Sequence, residues 1–256
     1  MTQRRTRPRT ALITGASSGI GRALSERLAA GGTEVVLVAR RVELLEEVRA
    51  AIVSRGGRAR SLALDVSQPE RIVEAIERLD RELPLDMVVA NAGIAGSTPA
   101  QTLTWAAIAP MLQINVMGAI ATLAAALPAM VARGRGHLVG ISSLAGMRGL
   151  PKTATYSASK AALSTFLESL AIDLEGSGVL VSDVRPGYVK TDLTANRSYK
   201  MPMLMELADA IDTIARGLDA GDRVIAFPKP LASALAATRM LPVAAYRRLA
   251  RRTIAR

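Results

Sequence analysis

Two rhythms of apolar residues alternate along this chain. Short apolar runs at 10–14, 34–39, 86–90, 137–142, 179–184 and 223–227, with a mixed run at 60–64, predict strands. Between them apolar positions recur every three or four residues. That spacing predicts helices over 19–30, 42–55, 69–83, 103–114, 116–132, 155–175 and 206–220. Gly56-Gly57 stops one of these helices and Pro69 starts the next. Strands that are apolar on both sides need cover on both faces, and the helices between them supply it. The expected fold is therefore α/β, a Rossmann-like doubly wound parallel sheet of about seven strands with helices on both faces. From Leu231 the chain reads as two more helices separated at Pro242. Nothing repeats and no linker intervenes. The expectation is one domain over 1–256, with a basic arm at 1–9 and a helical basic extension at 229–256.

Composition narrows the chemistry. Half of the 256 residues are hydrophobic, which excludes disorder for most of the chain. The absence of cysteine removes thiolate metal sites, disulfides and cysteine nucleophiles together. With His137 as the single histidine, a Ser-His-Asp triad or a histidine metal site would rest on that residue alone, and no metal is expected. The net charge of +11 sits at the ends: residues 11–238 hold 23 basic and 22 acidic residues. A nucleic-acid reader carries its charge on the folded face that reads, so no nucleic-acid partner is expected. In the tail, Val243, Tyr246, Leu249, Thr253 and Ile254 recur at helical spacing with arginines opposite. Such a helix lies on an anionic membrane or packs on the body or on another subunit. The apolar stretch 117–132 is interrupted by Pro128 and ends in Arg133-Gly-Arg135, which suits a buried helix. The N-terminus lacks the apolar run of a signal peptide. The expected location is cytoplasmic, with peripheral membrane contact through the tail as the alternative.

Between the first strand and first helix lies Thr14-Gly15-Ala16-Ser17-Ser18-Gly19-Ile20-Gly21. Glycines there permit a tight turn and let a pyrophosphate approach the amides of a helix N-terminus, where the dipole favours an anion. With its T-G-x-x-x-G-x-G spacing, this segment resembles the short-chain dehydrogenase/reductase family. The resemblance runs from about Thr10 to Thr194. Asp65-Val66 matches the family's position beside the adenine ring, and Asn91-Ala92-Gly93 its N-A-G segment. Asn115 falls where the family has a catalytic asparagine. Ser143, Tyr156 and Lys160 match S-x(12)-Y-x-x-x-K, and Pro186, Gly187, Val189 and Thr191 match P-G-x-V-x-T.

Tyr156 and Lys160 stand four apart on a predicted helix and share one face. A free tyrosine, with a pKa near ~10, is no base at neutral pH, and lowering it by about 3 units takes roughly 4 kcal/mol. A neighbouring ammonium and a positively charged nicotinamide both favour the phenolate. By the resemblance, Tyr156 is then the general acid/base, Ser143 holds the reacting oxygen, Lys160 reaches the ribose hydroxyls and Asn115 positions water for a proton relay. Ser142 adjoins Ser143, but the thirteen-residue separation from Tyr156 selects Ser143.

The end of the second strand bears on the cofactor. NAD-binding folds place a carboxylate there for the ribose 2′-hydroxyl. This chain has Ala39-Arg40-Arg41, with no acid before Glu43. Cations suit a 2′-phosphate, so NADP(H) is favoured over NAD(H), with Arg40 as first choice and Ser17 as helper. Ser18 and Ile20 complete the expected cofactor turn.

Leu144, Met147, Leu150 and Tyr188 lie where the resemblance places the substrate walls. They imply a hydrophobic ketone, aldehyde or alcohol; Arg148, Lys152, Arg197 and Lys200 would meet an acidic group instead. The family forms homodimers or homotetramers, which the helices over 103–132 and 155–175 would mediate. Two rival readings stand beside this one. One is a cofactor-binding regulator without turnover, which the intact Ser143, Tyr156 and Lys160 oppose. The other is a membrane or nucleic-acid interaction protein using its basic ends.

Overall fold

The computed structural model describes residues 7–97, 99–195 and 201–254, with 252–254 described by backbone alone. Arg4, Arg5, Arg197, Lys200 and Arg256, and the side chains of Arg252, Thr253 and Ile254, lie outside that description. Seven parallel strands form one sheet in the order β3-β2-β1-β4-β5-β6-β7. They are β1 (Thr10–Thr14), β2 (Glu34–Ala39), β3 (Arg58–Ala63), β4 (Met87–Ala90), β5 (Gly136–Ile141), β6 (Val179–Pro186) and β7 (Val224–Phe227). The order reverses direction between β1 and β4. That switch opens a crevice at the carboxyl ends of the strands, where open α/β sheets bind ligands.

Alternate residues of each strand feed two cores. Ile13, Val35, Leu37 and Val89 point to the face covered by α1 (Gly19–Ala30), α2 (Val42–Ser54) and α8 (Leu207–Ala220). Leu12, Val36, Val38 and Val88 point to the other face, beneath α3 (Pro69–Glu82), α5 (Ala119–Arg133) and α6 (Ala154–Asp173). Strand β3 is an edge, and its exposed Arg58 and Arg60 meet Glu34 of β2, a charged rim that discourages further pairing.

Two expectations change. The helices predicted over 103–114 and 116–132 form one continuous helix, Trp105–Arg133, made of α4 (Trp105–Leu112), a π-helical turn over Gln113–Gly118 and α5. Pro128 does not end it. Taken alone this helix is long and apolar enough to cross a membrane. Its buried side chains, among them Leu123, Ala126 and Met130, instead pack on the sheet. The short helix α7 (Asp192–Ala195) was not anticipated. The tail forms α9 (Lys229–Arg239) and α10 (Val243–Ile254), divided at Pro242 as the sequence predicts.

Candidate active site

The turn between β1 and α1 is fastened from the neighbouring strand. Asn91 Nδ2 donates to the carbonyls of Thr14 (2.9 Å) and Gly15 (3.3 Å), while Thr14 Oγ1 accepts from the amides of Asn91 and Ala92 (both 3.1 Å). Gly15 has φ +68°, and a Cβ there would lie 2.9 Å from Ala92 Cα, so a side chain fails on both counts. Thr191, from the loop after β6, stands over Gly19. Val189 is buried beneath that loop and accepts from Thr194 Oγ1 (2.8 Å). Ile20 packs into the core behind the turn, and Val66 is buried under Gly118 of the π turn.

No side-chain oxygen caps α1 at Ser18. Ser17 and Ser18 hydroxyls instead accept from Arg41 Nη2, at 3.0 and 3.1 Å. The first-turn amides of α1 therefore face a turn lined by hydroxyls and a guanidinium, which fits a phosphate-bearing dinucleotide. The sequence singled out Arg40, which lies 3.6 Å from Asp65 Oδ2, whereas Arg41 reaches the glycine turn. Burial alone would raise the Asp65 carboxyl, but hydrogen bonds from Ser67 and then the Arg40 guanidinium hold it below its ordinary range.

Ser143, Tyr156 and Lys160 meet at the carboxyl end of β5. Ser143 is buried; its Oγ donates to Pro186 O (3.3 Å) and accepts from Ala145 N (3.1 Å). Ser142, its neighbour, instead donates to Asp183 Oδ1 at 2.5 Å. Lys160 is buried, donates to Ile141 O (2.8 Å) and lies 5.9 Å from the centre of the half-buried Tyr156 ring. Burial lowers its pKa to about 8, against the opposing pull of the Asp183 carboxylate. Asp183 is itself buried and paired with Arg185 at 2.6 Å. Gly93 leaves the gap into which these groups fit: a Cβ there would stand 3.4 Å from Lys160 Nζ and 3.2 Å from Asn115 Oδ1.

Asn115 sits on the π turn. Its Oδ1 accepts from Ile94 N (2.8 Å), while Nδ2 donates to Ile94 O (2.9 Å) and Ser159 Oγ (3.1 Å). Both amide hydrogens are thus used to hold the β4 loop against α6. A π turn inserts one residue into the helical ladder, and such insertions concentrate at functional positions.

Of the residues expected to wall a substrate, Met147, Leu150 and Tyr188 are partly exposed, whereas Leu144 is 2 % exposed. Gly187 donates to Phe227 O (2.7 Å) and abuts Leu231 at the start of α9. Arg148, read from sequence as a cation for an acidic substrate, is used otherwise. Its Nη1 donates to Thr238 O (2.5 Å) and its Nη2 to Leu241 O (3.3 Å), and its guanidinium covers the Tyr246 ring at 4.2 Å. Tyr246 closes the clasp by donating to Gly149 O (2.6 Å). Arg41, Ser159, Asp183 and Tyr246 stand against expected site residues, and motif spacing alone selects none of them. His137, at the far end of β5, is bonded to Ser182 Oγ (2.8 Å) and is structural.

Known proteins can be set against this geometry. The short chain dehydrogenase family profile matches residues 9–202. An uncharacterized oxidoreductase of Myxococcus xanthus is 47 % identical over 245 residues, which is 95 % of this chain and 97 % of that protein. A short-chain dehydrogenase from Sphingobium yanoikuyae in complex with NADPH superposes with a TM-score of 0.80 at 30 % identity, covering 86 % of this chain and 87 % of its own. A short-chain dehydrogenase/reductase from Burkholderia phymatum in complex with NAD shares the fold, with a TM-score of 0.82 at 20 % identity and coverage of 92 % and 93 %.

Proposed function

This chain belongs to the short-chain dehydrogenase/reductase family and is an oxidoreductase acting on CH–OH or C=O groups; from that premise we propose that it interconverts a hydrophobic ketone or aldehyde and its alcohol with NADP(H), using Tyr156 as general acid/base. The observation that carries this reading is the buried Lys160, 5.9 Å from the centre of the Tyr156 ring and bonded to Ile141 O at the end of the strand that leads to Ser143. A bound nicotinamide dinucleotide supplies the hydride to the carbonyl carbon and receives it in the reverse direction. Tyr156 gives its phenolic proton to the carbonyl oxygen, and Lys160, as a cation, stabilises the phenolate left behind. Ser143, exchanging its long 3.3 Å bond to Pro186 O, donates to the same oxygen and keeps it in line. Because both amide hydrogens of Asn115 are taken, any water it holds for a relay donates to one of its oxygens.

NADP(H) is favoured over NAD(H) by the missing carboxylate at Ala39 and by Arg41 on Ser17, with Arg40 beside it. The NADPH complex at 30 % identity agrees, while the NAD complex at 20 % identity speaks to fold alone. Met147, Leu150 and Tyr188 are the apolar wall for the substrate. Exposed Met117, Val131 and Ile172 on α5, its π turn and α6 favour a homo-oligomer, which sizing in solution tests.

A panel of apolar ketones and aldehydes, read by NADPH consumption, tests the main reading. Tyr156→Phe is expected to lower turnover by about 10²–10⁴ while leaving NADPH binding intact, because it deletes only the proton donor. A variant retaining more than about a tenth of the rate removes Tyr156 from the role.

A further inference from the structure

Residues 223–256 carry eight lysines and arginines and no acid. Helices α9 and α10 fold residues 229–254 of this stretch, and the corner between them is apolar and bare: Met240 is 87 % exposed and Val243 68 %. The corner is not loose. Arg148 bonds to the carbonyls of Thr238 and Leu241 on either side of Met240, and Tyr246 ties α10 to Gly149. Two methionine- and valine-sized side chains are thus held out into solvent beside the 144–150 loop. Cations flank them. Arg239 precedes the corner, and Arg247, Arg248 and Arg251 follow on the exposed side of α10, while Tyr246 and Ala250 turn inward.

We propose that this corner docks the protein on an anionic lipid surface, with Met240, Leu241 and Val243 entering the acyl boundary and the flanking arginines among the headgroups. An apolar wedge ringed by arginine gains from both parts of such a surface, the hydrocarbon and the charge. A nucleic acid would reward the arginines through its phosphates but takes an apolar side chain only by unstacking a base step. The clasp to Arg148 places the corner beside the substrate loop, so docking brings that loop to the bilayer, where apolar carbonyl compounds concentrate. The surface itself rests on the tail and not on the reading of Tyr156.

Co-sedimentation with vesicles of phosphatidylcholine, alone and mixed with phosphatidylserine, tests it on the full chain. Binding is expected to the mixed vesicles only, and to weaken as salt rises. Replacing Arg247, Arg248 and Arg251 together by Gln is expected to weaken it on the order of a hundredfold, at about fivefold per cation. Met240→Asp combined with Val243→Asp is expected to abolish it. All five positions are exposed, and unchanged NADPH binding in each variant verifies an intact fold. Equal pelleting with both vesicles, binding unmoved by either set of changes, or tighter binding to duplex DNA than to the mixed vesicles each overturns the proposal. Vesicle binding without turnover on any carbonyl would sink the catalytic reading and leave this one standing.

Discussion

The two halves of the site are held together by different means. On the cofactor half, short segments of β1, β4 and the turns beyond them are fastened by side-chain-to-backbone bonds between adjacent strands, with Asn91 and Thr14 at the centre. On the substrate half, the 144–150 loop is fastened by Arg148 to helices almost a hundred residues later in the chain. A bond between strand neighbours inherits the rigidity of the sheet. A bond from a loop to a tail helix has only its own few contacts behind it. On the proposed function the first half would take the dinucleotide and the second the substrate, each fastened by its own contacts.

The largest expected break in that comparison is on the cofactor side. Arg41→Asp removes a cation from Ser17 and Ser18 and places a like charge where the 2′-phosphate would sit. The preference for NADP over NAD should fall by about a hundredfold or more, as read from the two dissociation constants. Arg40→Asp, which disturbs the exposed contact to Asp65, should shift that ratio less. A larger effect from Arg40 would return the phosphate to the residue the sequence singled out.

At the junction of the halves stands Lys160. With its pKa lowered to about 8, it is charged below that pH and neutral above it. Reductive kcat/KM should be level below pH 8 and fall about tenfold per unit well above it, since the neutral amine no longer stabilises a phenolate. Tyr156, Asp183 and Arg185 are the ionisable groups set around it, and the Asp183 charge favours the cation. Asp183→Asn should therefore bring the descent to lower pH. A descent that stays in place belongs to another group.

The substrate half should give smaller, more selective effects. Arg148→Ala removes two hydrogen bonds and a cation–π contact, and is expected to raise KM about tenfold while the NADPH dissociation constant stays fixed. Tyr246→Phe keeps the ring and loses one bond to Gly149, so KM should rise only about threefold. If either change weakened NADPH binding as much as it raised KM, the halves would be coupled and the comparison would fail.

The same division governs what could be read from the sequence. Seven strands and the glycine turn were legible because apolar runs and glycine spacings are local, and Ser143 could be chosen over Ser142 by counting to Tyr156. Counting cannot say which of two adjacent arginines at the end of β2 turns toward the glycine loop, and Arg41 rather than Arg40 does. Nor does it show that the polar Gln113 and Asn115 lie in an unbroken helix, because a π turn adds a residue without breaking the ladder. Leu144 matched a wall position and is buried. The clasp between Arg148 and Tyr246 has no motif at all, since the fold alone brings them together.

That clasp also sets a clock on the emerging chain. The last residue set against the glycine turn, Thr191, precedes Tyr246 by 55 residues. At a synthesis rate of about 5–20 residues per second, roughly three to eleven seconds separate the two. Throughout that interval the 144–150 loop rests on α6 but lacks its tie to the tail, so the clasp is the last part of the site to close.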